Sequence, residues 1–270
     1  MTPPSSAGPA GSSGPTFAIG MFTPDPHPAP ARRRITATAG LELRLTLRNG
    51  EQLLLALIIP LLALLGGTLI TVIDLPEPRI NAVVPGVLVL AVLSSAFTSQ
   101  AITTGFDRRY GVLKRLAAAG ISRGQLIAGK CAATLAVIAG QFLVLGGAGL
   151  LLGWRPEGSP LWVLVITLLG TAAFIGLALL LGGTLRAEAV LAVANLLWLI
   201  FVVLGGVIVP LDQAPEIVRM IGELTPPGAM SQAMRAVLQD GAAPPVTSLL
   251  VLAGWIVIGW AATVRWFRWQ

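Results

Sequence analysis

Apolar residues fall into six blocks: Leu53 to Ile73, Val83 to Thr104, Cys131 to Leu152, Leu161 to Leu185, Val190 to Pro210 and Val246 to Val264. Each is long enough to cross a hydrocarbon core about 30 Å thick, which takes roughly 20 helical residues. None contains Asp, Glu, Lys or Arg, and one charge at a span's centre would oppose insertion by about 2.5–3.5 kcal/mol. The pattern predicts an all-α integral membrane protein with six transmembrane helices. Pro60 and Pro85 fall inside spans, where neighbouring helices re-satisfy the freed carbonyls. Met1 to Ala31, rich in Pro, Gly, Ser and Ala without a sustained apolar run, predict a disordered tail, leaving 32–270 as the membrane domain. The tail lacks the basic start and apolar stretch of a cleavable signal peptide, so the first span is expected to stay in the mature protein.

The polar positions between the blocks orient the chain. On the tail side lie Arg32, Arg33, Arg34, Arg44, Arg48, Arg108, Arg109, Lys114, Arg115, Arg123, Lys130, Arg186, Arg265 and Arg268, whereas the other side holds Arg79, Arg155, Arg219 and Arg235. This split, 14 to 4 of the 18 basic residues, predicts cytoplasmic N- and C-termini by the positive-inside rule, in a cell inner membrane. Trp266 and Trp269, interleaved with Arg265 and Arg268, read as an interfacial anchor.

Composition agrees: 55% of residues are hydrophobic and 11% charged, with a mean hydropathy of +0.83. A net charge of +6 raises the question of nucleic acid, but the basic residues are spread over four loop segments with no recognition motif around them. One cysteine, Cys131, and one histidine, His27, exclude an internal disulfide and a multi-Cys zinc site. No bound cofactor or metal is expected.

The longest predicted cytoplasmic connection, Gly105 to Lys130, is the most informative. On a single helix Tyr110, Leu113, Ala117 and Gly120 fall near one stripe, while Arg108, Lys114 and Arg115 point elsewhere. Spacing alone leaves two readings, a basic linker held against anionic headgroups or a docking element for a partner protein. Asp107-Arg108-Arg109-Tyr110-Gly111-Val112-Leu113-Lys114-Arg115-Leu116 resembles the loop after the second helix in permease subunits of ABC-2 type transporters, which include drug and antibiotic exporters. The family commonly has a proline where this chain has Gly120. The resemblance runs from about Arg34 to the C-terminus. It implies a coupling helix seated in a groove of a separate ATP-binding subunit that carries the ATP and Mg, a second permease copy or homologue as partner, and export of a hydrophobic or amphipathic substrate. Arg108, Arg109, Lys114 and Arg115 would then meet acidic groups on the ATPase, and Tyr110, Leu113 and Leu116 would fill its groove.

Between the fifth and sixth blocks, Ile217, Ile221 and Leu224 form one short stripe and Met230, Ala233, Met234 and Val237 another, with Thr225-Pro226-Pro227 between them. Two half-helices separated by a proline turn are expected. The resemblance implies that this stretch, with Pro226, Pro227, Met234 and Arg235, gates the external exit; the alternative is a loop packed on the outer surface. Before the first span, Leu41, Leu43, Leu45 and Leu47 alternate with polar residues at strand periodicity. An isolated strand at a membrane surface would leave both edges unpaired, and the resemblance implies an amphipathic interfacial helix, which is the expectation for Ile35 to Gly50.

Ser94, Ser95, Thr98 and Ser99 cluster on one side of the second predicted helix, with Gln100 beyond them, and Gln141 and Asn195 lie in the third and fifth. They either bond helices together or line a substrate path. The absence of intramembrane acids, bases and histidine disfavours ion-coupled transport. Gly124-Gln125-Leu126-Ile127-Ala128-Gly129-Lys130-Cys131 mimics a phosphate loop, with Cys131 in place of the magnesium-binding hydroxyl. It joins a basic loop to an apolar span where a phosphate loop requires a strand before it, so ATP is expected on another chain. Glu42, Glu51, Asp107 and Glu188 form no paired metal-binding pattern, which weighs against the rival reading of a lipid-modifying membrane enzyme; a membrane scaffold is the third reading.

Overall fold

The structure, a computed structural model, describes residues 29–70 and 77–267, without the side chains of residues 51–55. The predicted tail before residue 29, the end of the first apolar block, and Arg268 and Trp269 of the predicted anchor lie outside the described residues.

Among the described residues every regular element is a helix or helical turn. In order they are α1 (Ala31–Arg48), α2 (Gly50–Leu69), α3 (Arg79–Val92), a π-helical segment (Leu93–Ser99), α4 (Gln100–Arg109), α5 (Val112–Ala118), α6 (Arg123–Leu151), α7 (Pro160–Thr184), α8 (Ala187–Leu204), a 3₁₀ turn (Leu211–Gln213), α9 (Glu216–Glu223), α10 (Pro226–Leu238) and α11 (Val246–Trp266). Five stretches are long and apolar enough to cross a membrane: Arg79–Arg109, α6, α7, α8 and α11. Ala56–Leu69, within α2, is a shorter apolar helix at the first block. The chain is a multi-pass membrane protein.

The α3–π–α4 stretch counts 31 residues, about 46 Å at 1.5 Å per residue. That exceeds the thickness of the hydrocarbon core, and α5 follows directly on its Arg109 end.

The α3–π–α4 rod is the most deeply buried span, and α7 packs against α4, the π-helical segment, α10 and α11. Small residues allow this approach. A Cβ placed on Gly176 would lie 3.3 Å from the backbone of Gly259, and Gly259 meets Gly176 in the same way. Close backbones in turn let side chains reach across: Thr263 Oγ1 donates to the Gly176 carbonyl at 2.8 Å, and Trp260 Nε1 to that of Ala172 at 3.0 Å.

Leucine alternation before the first span does not produce a strand. Residues 31–48 form α1, whose Arg34, Thr38 and Glu42 face inward at helical spacing while Leu41, Leu45 and Leu47 are exposed. Helix satisfies every backbone group locally, which an unpaired strand cannot do. Two predicted half-helices between the last two blocks are present as α9 and α10. The second starts with the Thr225 hydroxyl accepting from the Gly228 N–H at 3.2 Å, and Pro226 and Pro227 occupy first-turn positions that need no amide donor.

Candidate functional site

The connection between α4 and α6 is built differently from the single helix its stripe predicts. The helix breaks at Tyr110-Gly111, where Gly111 adopts a left-handed φ of 68° that a Cβ would disfavour, and α5 sets off in a new direction. The second end of α5 is closed by Gly120, with φ 79°. Its N–H donates to Ala117 O at 3.0 Å and that of Ile121 to Leu116 O at 3.1 Å, a Schellman closure. A proline at 120 could supply neither the donor nor that φ. The chain then enters α6 through a capping box in which Ser122 and Gln125 bond each other's backbone N–H.

With the helix broken, the stripe is not realised. Leu113 is buried at 3% exposure while Ala117 and Gly120 are exposed, so Leu113 anchors α5 to its own chain and cannot fill a partner's groove. Arg108 also turns inward, donating to the Gly183 and Leu185 carbonyls at the C-terminal end of α7, where helical carbonyls lack intrahelical donors. Arg109 pairs with Glu188 of α8. Facing solvent are Tyr110, Lys114 and Arg115, with Leu116 half-buried. Tyr110 is steadied by stacking on Phe106, with ring centroids 6.0 Å apart, and by the Arg109 guanidinium 5.8 Å from its ring centre.

Beneath this surface lies an arrangement the sequence did not reveal. Lys130 Nζ stands 2.8 Å from Glu42 Oε1 of α1 and 2.8 Å from Asp107 Oδ2 of α4, and its side chain is 2% exposed. The only signal was that Lys130 directly borders an apolar block while Asp107 is the one acid in a basic loop. Alongside the triad, α1 packs on α6 so closely that a Cβ on Gly129 would stand 2.7 Å from Thr38 Cγ2. Arg34 Nη1 reaches the Gly120 carbonyl at 2.9 Å, tying α1 to the end of α5. The phosphate-loop mimic is thereby explained: residues 124–130 lie within continuous α6, Gly129 admits α1, and Lys130 joins three helices.

The polar residues of the predicted second helix do not act as one cluster. The wider π turn distributes them between neighbours. Ser95 donates to Gln141 Oε1 at 2.9 Å and Gln141 passes the bond to the Ala56 carbonyl of α2 at 2.9 Å, while Ser94 accepts from Trp198 Nε1 of α8 at 3.0 Å. Gln100 donates to Thr134 Oγ1 at 2.8 Å. Ser95, Ser99, Gln100 and Thr134 line a cavity of about 20 Å³ together with Glu42, while Thr98 Oγ1 is buried without a partner among the described residues. Asn195 stands apart, exposed on α8 and donating to Leu191 O of its own helix at 2.9 Å.

At the opposite end of the molecule, Met234 is fully buried and Arg235 donates to three carbonyls: Ala82 at 2.6 Å, Gly206 at 3.1 Å and Val207 at 3.2 Å. It ties α10 to α3 and to the turn after α8. Burial lowers its pKa to about 10, with the Asp212 carboxylate opposing the drop, so it remains charged at neutral pH. Gly86 makes room for this turn, since a Cβ there would meet the Val207 carbonyl at 1.9 Å. Arg79 acts similarly on α2, donating to Ile70 O at 2.6 Å and Gly67 O at 3.2 Å. Four arginines among the described residues, Arg34, Arg79, Arg108 and Arg235, thus serve carbonyls at the ends of other helices.

A bundle of apolar helices, with a short charged helix at one end and a pair of short helices at the other, defines a multi-pass membrane protein. The family model described as ABC-2 type transporter matches residues 34–238, so the chain belongs to the ABC-2 type transporter family and is a permease component of an ABC-type transporter. Members of this family are transport subunits that typically work with an ATP-binding subunit. No curated protein matches the chain.

Proposed function

We propose that the chain is the six-span permease of an ATP-driven exporter, with cytoplasmic termini in the cell inner membrane, moving a hydrophobic or amphipathic substrate outward on ATP hydrolysed by a separate subunit. The observation that carries this reading is the α5 platform. Tyr110, Lys114 and Arg115 are presented to solvent on a helix held by buried Leu113 and by Arg34 at the Gly120 carbonyl, following an α4 that Arg108 fastens to α7 and the Lys130 triad fastens to α1 and α6. A loop held this firmly transmits displacement instead of absorbing it. A push on α5 would reach α4 through Gly111, α6 through Asp107–Lys130, and α1 through Glu42. The proposed ATPase contact is narrower than the sequence implied: Tyr110, Lys114, Arg115 and Leu116 meet the partner, while Asp107, Arg108, Arg109 and Leu113 hold the helix in place.

In this reading Pro226, Pro227, Met234 and Arg235 form the external gate, latched by the Arg235 bonds. Ser95, Gln100 and Gln141 bond helices together, whereas Asn195 presents an amide on the lipid-facing side of α8. An amide in hydrocarbon seeks a partner, which supports packing of the second permease copy against α8.

The test is reconstitution with the ATP-binding subunit. The chain alone should not hydrolyse ATP, and charge reversal by Lys114→Glu with Arg115→Glu should abolish co-purification and substrate-stimulated hydrolysis while the permease remains monodisperse. Retention of both activities by the double variant would remove the docking role from α5.

A further inference from the structure

A cavity of about 160 Å³ opens beside α5, between the first turns of α6 and the last turns of α11. These two helices scarcely touch each other, and α4 and α7 form the floor. Its walls are largely apolar, including Leu113, Leu126, Ile127, Trp260 and Val264. Lys130 and Thr263 also line it, but their polar groups are spent on Glu42 and Asp107 and on the Gly176 carbonyl; two arginines and one threonine break the apolar pattern. Arg123 borders it from α6, and Arg265 stands exposed beside Trp260 and Val264 in the adjoining surface recess of α11. Thr104, only 1% exposed, lines the cavity with a hydroxyl that has no partner among the described residues.

We infer that this cleft is a binding site for one phospholipid with an anionic headgroup, drawn from the leaflet on the α5 side. An apolar slot reached between two spans is open to lipid, and it accepts part of an acyl chain by the same transfer free energy that inserts the spans. Arginines at the rim match a phosphate by charge and by planar donor geometry. Thr104 supplies a donor for an ester carbonyl just below the headgroup, where a buried hydroxyl would otherwise stay unsatisfied. Water would satisfy Thr104 but gains little from the apolar walls. Because Leu113 and Lys130 both contribute to its walls, the bound lipid braces α5 next to the Lys130 triad. The site goes beyond the export reading and needs only that α6 and α11 cross the membrane.

Native mass spectrometry of the full chain in detergent tests the assignment, using phosphatidylglycerol and phosphatidylcholine of identical acyl chains as probes. Phosphatidylglycerol should be retained at least fivefold more than phosphatidylcholine. Arg123→Gln with Arg265→Gln should remove that preference, and Val264→Trp, at an exposed rim position, should block retention of both lipids. Arg219→Gln, a change to an exposed arginine elsewhere, should alter neither. Ile127→Trp offers a second, deeper block should Val264→Trp aggregate. Equal retention of the two lipids, or full retention in both Trp variants, overturns the inference. Displacement of the lipid by excess glycerol phosphate would overturn it too, since binding would then reside in the headgroup alone.

Discussion

Lys130→Met replaces a buried cation with an apolar chain of similar length and leaves Glu42 and Asp107 facing each other. Lys130 is 2% exposed, and its two partners are 13% and 21% exposed, so neither carboxylate regains full hydration. Removing one member of a buried ion pair costs about 3–5 kcal/mol. The partial exposure of the acids places the expected loss near the lower end, about 3 kcal/mol. On the scale of domains of 150–250 residues this is a melting shift of about 6–12 °C. Intrinsic tryptophan fluorescence of the detergent-solubilised chain reads the transition. Because the damage comes from uncompensated charge, adding Glu42→Gln and Asp107→Asn to Lys130→Met should recover most of the loss. A single variant that melts like the parent, or a triple variant no better than the single one, would refute the claim that this triad holds α1, α4 and α6 together.

Gly129→Val should destabilise by about 1–3 kcal/mol through overpacking against Thr38, whereas Gly140→Ala, inside α6 with nothing within 4 Å of its added Cβ, should stabilise by up to about 1 kcal/mol in the same melting assay. Gly120→Pro should raise hydrogen exchange at the amides of residues 117–121, since the Schellman donor and φ are both lost; unchanged protection would count against this closure. Arg235→Leu strands three carbonyl contacts and should lower the melting temperature more than Arg235→Lys, which keeps the charge and some of the bonds. Equal effects of the two would mean that the hydrogen bonds contribute little.

The break at Thr225-Pro226-Pro227 was legible because prolines and a capping hydroxyl act within one turn. The stop at Gly120, which the loop stripe placed inside a helix, and the Ser122–Gln125 capping box came only from the structure. Leucine alternation at residues 41–47 has strand periodicity although the segment is the expected helix, because periodicity records which residues alternate, not which surface receives them. The loop stripe failed for a related reason. One left-handed glycine redirects the axis, after which spacing across Gly111 no longer predicts a shared face.

The sequence by itself determined the solvent, the approximate spans and their expected orientation, since insertion of each segment depends on that segment's own transfer free energy and flanking charge. Only the tertiary structure decided which charges look outward. Arg108 and Leu113 belong to the interior and Lys130 is the centre of a three-helix clamp, because burial and pairing depend on helices that are distant in sequence meeting in space. The basic loop that suggested a docking helix is thus divided into an inner half that holds and an outer half free to engage a partner.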